Sequence, residues 1–345
     1  MLFPATSLFI TTLILGTLIS ISSLNWLYVW IGLELNLLSF IPIIAANSCL
    51  QETERAVKYF ITQAVGRGLL LLGALTCLAT PIFPISYSST RTIIILRLLL
   101  KTGTAPLHWW LPSVIASITW LNCILLATWQ KIAPLILLTS IFFSIISPVI
   151  IIASASRAII GGVGGINQRH LRPILAFSSI GHLAWITAVI ISGDTKILIV
   201  YFLVYCLINS LLITNIHWIA QLKSKSNTAL STMPLSFFLV IIILLLSLGG
   251  LPPLLGFLPK WLIIINISLT TNTRILLIIL ILGSLLNLFY YLSIIFRFLL
   301  IQPSKFICSP SSPLLAPLAI VLGGTLSLVV IIWSCSWFYN IKLQI

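Results

Sequence analysis

Apolar segments of roughly twenty residues follow one another along almost the whole chain, and they constrain the fold more than any other feature. Of the 345 residues, 60% are hydrophobic and only 6% are charged, whereas a soluble domain carries about 25% charged residues. Helices of about 20 apolar residues cross a bilayer because all their backbone polar groups are hydrogen-bonded within the helix. This pattern excludes a soluble globular enzyme, a disordered chain and a fibrous repeat.

Short polar or Pro/Gly stretches separate the apolar segments, and the pattern predicts an all-α, polytopic bundle of about 10 to 12 transmembrane helices. The predicted spans are 2–22, 25–47, 56–80, 91–103, 105–121, 122–140, 141–155, 173–192, 196–219, 234–268, 274–300 and 314–338. The run 91–121 is either two helices or one broken helix, and 234–268 has room for two short segments. Because no long polar linker interrupts the spans, residues 1–345 are predicted to form one membrane domain.

Charge, cysteine and histidine patterns argue against several kinds of site. The formal net charge is +14, but Lys and Arg stand singly, so we expect contact with membrane lipid and no nucleic-acid partner. The 6 cysteines form no CxxC pair and the 4 histidines show no metal spacing, so we expect neither a metal nor an iron–sulfur cluster in this chain. The Gly-rich segment 161–165 lacks the βαβ context of a nucleotide site. It favours close helix packing or a turn.

Four charged residues inside apolar spans are the candidate functional residues: Glu34, Lys101, Lys131 and Lys260. A charge near the bilayer centre costs about 2.5–3.5 kcal/mol on insertion scales, and such residues tend to face a bundle interior or a wet cavity. The alternative for Glu34 is a protonated carboxyl that only bonds a neighbouring helix. The alternative for each lysine is a side chain that extends along the helix to the membrane surface.

Helix-breaking residues accompany the three lysines. Pro106 follows Lys101, Pro259 directly precedes Lys260, and a proline also follows Lys131 three residues later. Proline removes a helical hydrogen bond, and a broken helix persists in a membrane only where it is buried in protein or lines a wet cavity. Freed carbonyls and water would solvate the amines. The sequence therefore predicts a row of lysines that relays protons.

His182 lies within a predicted span, next to Ser178 and Ser179 in the segment AFSSIGHLAW. An imidazole exchanges protons near neutral pH, which makes His182 a tentative relay in the same path. A hydrogen-bonded interior histidine without a transport role is an equally good interpretation.

Six segments resemble the mitochondrial NADH dehydrogenase subunit 2 family of respiratory complex I: WIGLELN, KYFITQA, LLKTGTAPLHWWLP, TWQKIAPL, GGINQRHLRPILAFSSIGHLAW and GGLPPLLGFLPKW. They occur in the family's order, and LNCILLATWQKIAPL looks especially like the arthropod form. The resemblance implies an antiporter-like subunit of about eleven helices, two of them broken, in the mitochondrial inner membrane. LHWWLP in place of the more common FHFW departs from the family pattern and concerns packing only.

The resemblance also implies roles for the candidate residues. Glu34 matches the glutamate that pairs with the first channel lysine, and Lys101 matches that lysine. Lys131 matches the central lysine of the connecting path, and Lys260 matches the lysine of the second broken helix, which delivers protons toward the intermembrane side.

The whole complex implied by the resemblance passes electrons from NADH through FMN and iron–sulfur clusters to ubiquinone. None of these cofactors is expected in this chain. Subunits 4 and 4L (ND4 and ND4L) of the membrane arm and accessory subunits are the expected neighbours. A stand-alone cation/proton antiporter of related fold and a purely structural membrane scaffold stay open as alternatives.

Four arginines stand where members of the family tend to have serine or another small residue: Arg67, Arg97, Arg169 and Arg297. Arg67 and Arg97 lie deep in apolar runs, and Arg97 is one helical turn from the like-charged Lys101. In invertebrate mitochondria AGA encodes serine and AUA encodes methionine, and the chain has only 2 methionines. We hypothesise that serine stands at these positions in the translated protein. The alternative is true arginines that face a wet cavity.

Overall fold

The computed structural model describes residues 3–45, 50–79, 87–105, 107–142, 148–225, 235–268 and 273–301, and within them the chain forms only helices. These are α1 (Phe3–Ser22), α2 (Trp26–Ile44), α3 (Leu50–Ala79), α4 (Tyr87–Thr102), α5 (Trp110–Ser117), α6 (Trp120–Ala127), α7 (Trp129–Phe142), α8 (Pro148–Ile166), α9 (Leu171–Ser192), α10 (Thr195–Lys225), α11 (Leu235–Gly249), α12 (Phe257–Ser268) and α13 (Arg274–Ile301). The predicted all-α bundle is confirmed.

The number of membrane spans also agrees with the sequence prediction. Within the described ranges, 8 segments are long and apolar enough to cross a membrane, and one of them contains α6 and α7, which are interrupted at Thr128. Two further spans are broken pairs, α4 with α5 and α11 with α12. Both broken regions were predicted as possible interruptions. The predicted span 314–338 lies outside the described residues.

One predicted span has the wrong bounds. The segment predicted at 141–155 is α8, which runs from Pro148 to Ile166 and contains the whole Gly-rich segment. The glycines allow close packing: a Cβ at Gly161 would lie 2.7 Å from the backbone nitrogen of Gly181 in α9. On another face of α8, a Cβ at Gly162 would lie 2.8 Å from Leu286 of α13. The segment therefore continues the helix and does not turn, because small residues let helix backbones approach in a membrane.

Helix α9 lies at the centre of the bundle. Every residue from Ser178 to Ile190 is buried, as expected for a helix that is surrounded by other helices instead of lipid. It packs against α5, α8, α10, α12 and α13. His182 is carried by this central helix, so its imidazole lies in the interior of the protein.

Candidate functional site

The three candidate lysines are buried inside the bundle. Lys101 is 5% exposed, Lys131 is 3% exposed and Lys260 is 6% exposed. Amines that extended to the membrane surface would keep their ends accessible. The burial therefore contradicts the surface-reaching alternative and agrees with amines that face the protein interior.

Lys101 lies in the last turn of α4, directly before the helix is interrupted. Gly103 has a φ of +76°, its N–H donates to the carbonyl of Leu100 at 3.0 Å, and the N–H of Thr104 donates to Leu99 at 3.1 Å. This pair of bonds is the Schellman ending of a helix. The Nζ atom of Lys101 has no hydrogen-bonding partner among the described residues.

Lys260 lies beyond the second interruption and reaches back to the helix that precedes it. Gly250 has a φ of +82°, and its N–H donates to the carbonyl of Ser247 at 3.0 Å, so α11 ends much as α4 does. The Nζ atom of Lys260 donates to the carbonyls of Leu248 at 3.3 Å and Gly249 at 2.8 Å. The ammonium thus occupies the electronegative end of α11, where the last carbonyls have no helical donors.

Lys131 differs from the other two lysines, because no break follows it. Helix α7 continues through Pro134, and the interruption comes earlier, at Thr128. The predicted span 122–140 contains this interruption, which the sequence analysis did not predict, and Pro134 removes one helical donor without ending α7. The Nζ atom of Lys131 donates to the hydroxyl of Tyr205 at 3.4 Å and lies 5.2 Å from the centre of its ring.

His182 lies beside Tyr205, whose hydroxyl accepts from Lys131, and the centres of the two rings are 5.2 Å apart. Its Nδ1 atom lies 3.0 Å from the hydroxyl of Tyr201, and its Nε2 atom is buried without a hydrogen-bonding partner among the described residues. A small cavity of about 10 Å³ is lined by His182, Tyr201, Tyr205 and the α11 end at Leu248. A cavity needs about 10–15 Å³ of such space to hold one water molecule, so this cavity is at the lower limit for one.

Glu34 does not contact Lys101 directly. Its carboxylate accepts a hydrogen bond from the guanidinium of Arg67 in α3, and both side chains are partly accessible. The charges of Glu34 and of Arg97 both act on Lys101. The Glu34 carboxylate therefore interacts with Lys101 only through its charge, and its direct ion pair among the described residues is with Arg67.

Two other arginines are fully buried near the lysines. Arg97 donates to the amide oxygen of Gln63 at 3.1 Å. Arg157, which the sequence analysis did not single out, donates to the hydroxyl of Thr102 at 2.5 Å and to that of Thr187 at 3.3 Å. Arg169 and Arg297 are exposed. The Nε atoms of Arg97 and Arg157 have no partner among the described residues.

The most important group missed by the sequence analysis is a polar face of α10. Tyr201, Tyr205 and Asn209 recur every four residues in YFLVYCLIN, so they lie on one side of the helix. All three are buried, and the amide of Asn209 donates to the hydroxyl of Tyr205 at 3.3 Å. This spacing was a readable signal. Tyrosine and asparagine carry no charge, so selecting candidates by their charge does not include this group.

The described residues thus hold a row of buried polar and charged side chains without a metal-binding cluster. No three His, Cys, Asp or Glu side chains in the described ranges lie close enough to hold a metal ion. Glu34 and Lys101 lie on α2 and α4, and Lys131, His182 and Lys260 lie on α7, α9 and α12. Such an arrangement can hold and pass protons, because amines, imidazole and hydroxyls both bind and release them.

This fold and this row of amines define an antiporter-like membrane protein. Residues 23–81 and 83–287 match the family model of the NADH:quinone oxidoreductase/Mrp antiporter transmembrane region. The fold is similar to that of a chain in the respiratory complex I from Thermus thermophilus with bound aureothin, with a TM-score of 0.78 and 22% identity over 94% of this chain and 77% of that chain. A chain of the Mrp complex from Dietzia sp. gives a TM-score of 0.72 at 16% identity, over 88% of this chain and 61% of that chain.

Curated relatives narrow this class to one family. The chain is 40% identical over 300 residues to the NADH-ubiquinone oxidoreductase chain 2 of Lumbricus terrestris, which covers 87% of this chain and 88% of that protein. It is 39% identical over 302 residues to the chain of the same name from Anopheles gambiae, which covers 87% of each. The chain belongs to the NADH-ubiquinone oxidoreductase chain 2 family, as its motifs predicted. It is a multi-pass membrane subunit of respiratory complex I.

Proposed function

We propose that this subunit moves protons across the mitochondrial inner membrane while the complex passes electrons from NADH to ubiquinone. The observation that carries the proposal is the burial of Lys101, Lys131 and Lys260 in a bundle whose helices are interrupted next to the first and the last of them. A buried amine in a membrane is costly unless it is paired or solvated. Three such amines buried in one bundle favour a role in transport over a role in packing.

The proposed path runs from Lys131 through His182 to Lys260 in one half of the subunit. Its support is geometric: Tyr205 contacts both Lys131 and His182, and His182 lines the same cavity as Leu248, whose carbonyl accepts from Lys260. Protons pass along hydrogen-bonded side chains and ordered water, and a cavity of this size with several polar groups suits one water molecule.

Glu34 and Lys101 form the proposed beginning of the path. A change in the charge or position of Glu34 alters the free energy of a proton on Lys101, because the two groups interact electrostatically. Gln130, next to Lys131, is buried with both amide atoms unpartnered among the described residues. Buried polar atoms of this kind are usually met by water, which supports a hydrated connection from Lys101 to Lys131.

The cofactors of the reaction are proposed to lie in other subunits. FMN, iron–sulfur clusters and ubiquinone would carry the electrons there, and this chain would respond to that chemistry through its membrane neighbours. We propose ND4, ND4L and accessory subunits as those neighbours, and residues 1–345 as one antiporter-like membrane domain. Exposed apolar side chains along α13, such as Ile275, Leu282 and Phe289, support contact with lipid or with another membrane subunit.

Two other functions make different predictions. A stand-alone cation/proton antiporter is favoured by the likeness to the Mrp complex chain, and it would exchange cations for protons in liposomes without the rest of the complex. A structural scaffold would leave the number of protons pumped per NADH unchanged after Lys260→Ala. The proposed role predicts that the chain co-purifies with subunits that contain flavin and iron–sulfur clusters.

The proposal is tested by replacing one amine in the assembled complex. Complex I that carries Lys131→Met is reconstituted in liposomes, and protons moved per NADH oxidised are measured together with FMN content. We expect proton pumping to fall at least ten-fold at unchanged FMN content, since methionine fills the space but binds no proton. Lys196→Met, at an exposed lysine of α10, is the matched control. Wild-type pumping by Lys131→Met would overturn the proposed path.

A further inference from the structure

The side chain of Tyr205 occupies the space between Lys131 and His182. Its ring centre lies 5.2 Å from the ammonium of Lys131 and 5.2 Å from the centre of the His182 ring. The side chain is 3% exposed, so bulk water does not compete for these contacts. The three groups come from α7, α10 and α9, which means that Tyr205 connects two helices that carry proposed proton-binding groups.

The hydroxyl of Tyr205 is already used as an acceptor from two sides. Lys131 donates to it at 3.4 Å and Asn209 donates to it at 3.3 Å. A phenol oxygen has two acceptor positions and one O–H donor, so its own proton has to point away from both donors. Tyr205 also lines the small cavity beside His182. The side chain of Ser179 on α9, one turn from His182, is a further hydrogen-bonding partner of this hydroxyl.

We propose that Tyr205 is a positioning residue, which holds the ammonium of Lys131 toward α10 and joins it through its hydroxyl to the cavity next to His182. This inference rests on the proposed proton path. Among the described residues, the hydroxyl of Tyr205 is the hydrogen-bond acceptor of Lys131. The face of its ring adds attraction to the cation. Without the hydroxyl the amine keeps the ring but loses its oriented bond.

The test compares Tyr205→Phe with Tyr290→Phe in the assembled complex. Both tyrosines are buried, at 3% and 1% exposure, but the hydroxyl of Tyr290 interacts with Tyr291 of its own helix, which is not part of the proposed path. We expect Tyr205→Phe to lower proton pumping about ten-fold, the effect of losing one hydrogen bond to a charged group. Tyr290→Phe should pump at the wild-type rate. Electron transfer from NADH to an artificial water-soluble acceptor should be unchanged in both.

A double variant separates positioning of Lys131 from a general packing role. If Tyr205 acts through the amine, Tyr205→Phe added to Lys131→Met causes no further loss, because the interaction is already gone. A packing role would instead give losses that multiply. Wild-type pumping by Tyr205→Phe, or multiplied losses, would overturn the inference while leaving the proton path intact. Wild-type pumping by Lys131→Met would remove the path itself.

A map of the wild-type complex decides the case if Tyr205→Phe fails to assemble. We expect the Nζ atom of Lys131 and the hydroxyl of Tyr205 within hydrogen-bonding distance, either directly or through one water molecule. A Lys131 side chain that turns away from α10 in that map would overturn the inference.

Discussion

The ammonium of Lys260 lies 2.8 Å from the carbonyl oxygen of Gly249, the last residue of α11. The break that follows Gly249 makes this contact possible, because it leaves the final carbonyls of α11 without helical donors. Gly250 supplies the left-handed backbone of the break, with a φ of +82°. The helix interruption and the position of the amine therefore depend on each other.

Replacing Gly250 by alanine should move the amine of Lys260. A Cβ at Gly250 would lie 2.6 Å from the Nζ atom, and the left-handed backbone adds a strain of about 1–2 kcal/mol. We expect Gly250→Ala to lower proton pumping about ten-fold, since hydrogen bonds to a charged group contribute about 1.5–3 kcal/mol. Protons moved per NADH in proteoliposomes is the measurement.

Gly193→Ala is the matched control for this change. Gly193 ends α9 with a φ of +78°, and a Cβ there would have nothing within 4 Å. Its backbone strain is therefore similar, but the added methyl group would touch no amine. We expect a comparable loss of thermal stability in both variants and a loss of pumping only in Gly250→Ala. Equal pumping by the two variants would contradict the proposed link between the break and Lys260.

Removing the imidazole of His182 should interrupt the path between Lys131 and Lys260. His182→Leu places a side chain of similar size at the buried position. It removes both ring nitrogens and leaves the buried hydroxyl of Tyr201 without its partner. We expect a loss of pumping of at least ten-fold and a cost in stability of about 1–3 kcal/mol from the unpaired hydroxyl. Thermal unfolding and proton pumping of the same preparation measure the two effects.

The control for His182 is a histidine on a neighbouring helix. The side chain of His217 of α10 contacts the exposed Gln221 in its own helix and none of the proposed path residues among those that the structure describes, so His217→Leu should leave pumping unchanged. If His182→Leu loses stability but pumps normally, His182 is a hydrogen-bonded interior residue and the relay role is wrong.

Most of this architecture could be predicted from the sequence. Apolar length and the Pro and Gly residues near Lys101 and Lys260 were enough to predict the spans and both interrupted helices, because they are local physical effects. Tyr205 was not predicted, since a tyrosine costs little in a membrane and only its four-residue spacing with Tyr201 and Asn209 marks it in the sequence. The sequence analysis also did not predict the interruption at Thr128, and the proline that follows Lys131 leaves α7 continuous. A single proline bends or weakens a helix but does not by itself end it.

Glu34→Gln tests whether the carboxylate acts on Lys101 by its charge. Glutamine keeps the size and can still accept a bond from Arg67, so packing of α2 on α3 should be preserved. The charge that acts on Lys101 is lost. We expect proton pumping to fall several-fold without loss of assembly, and Glu54→Gln, at an exposed residue paired with Lys58, to have no effect. Normal pumping by Glu34→Gln would exclude an electrostatic role.

The buried arginines provide a prediction about the translated protein itself. Arg157 is 0% exposed and Arg97 is 1% exposed, and among the described residues they donate to neutral hydroxyl and amide groups. A buried guanidinium without a carboxylate costs several kcal/mol, while a serine hydroxyl in a helix bonds to a carbonyl of its own preceding turn. The environment of Arg157 therefore extends the serine hypothesis to a fifth position.

Mass spectrometry of the subunit purified from mitochondria measures these residues directly. We expect serine at positions 67, 97, 157, 169 and 297, and arginine at Arg172. Arg172 is the internal control, because it stacks at 4.6 Å on Trp120 and donates to the carbonyl of Ala116, as a functional arginine would. Fragments that contain arginine at 67 or 97 would contradict the hypothesis. In that case the ion pair of Arg67 with Glu34 belongs to the native protein, and it would hold the Glu34 carboxylate away from Lys101.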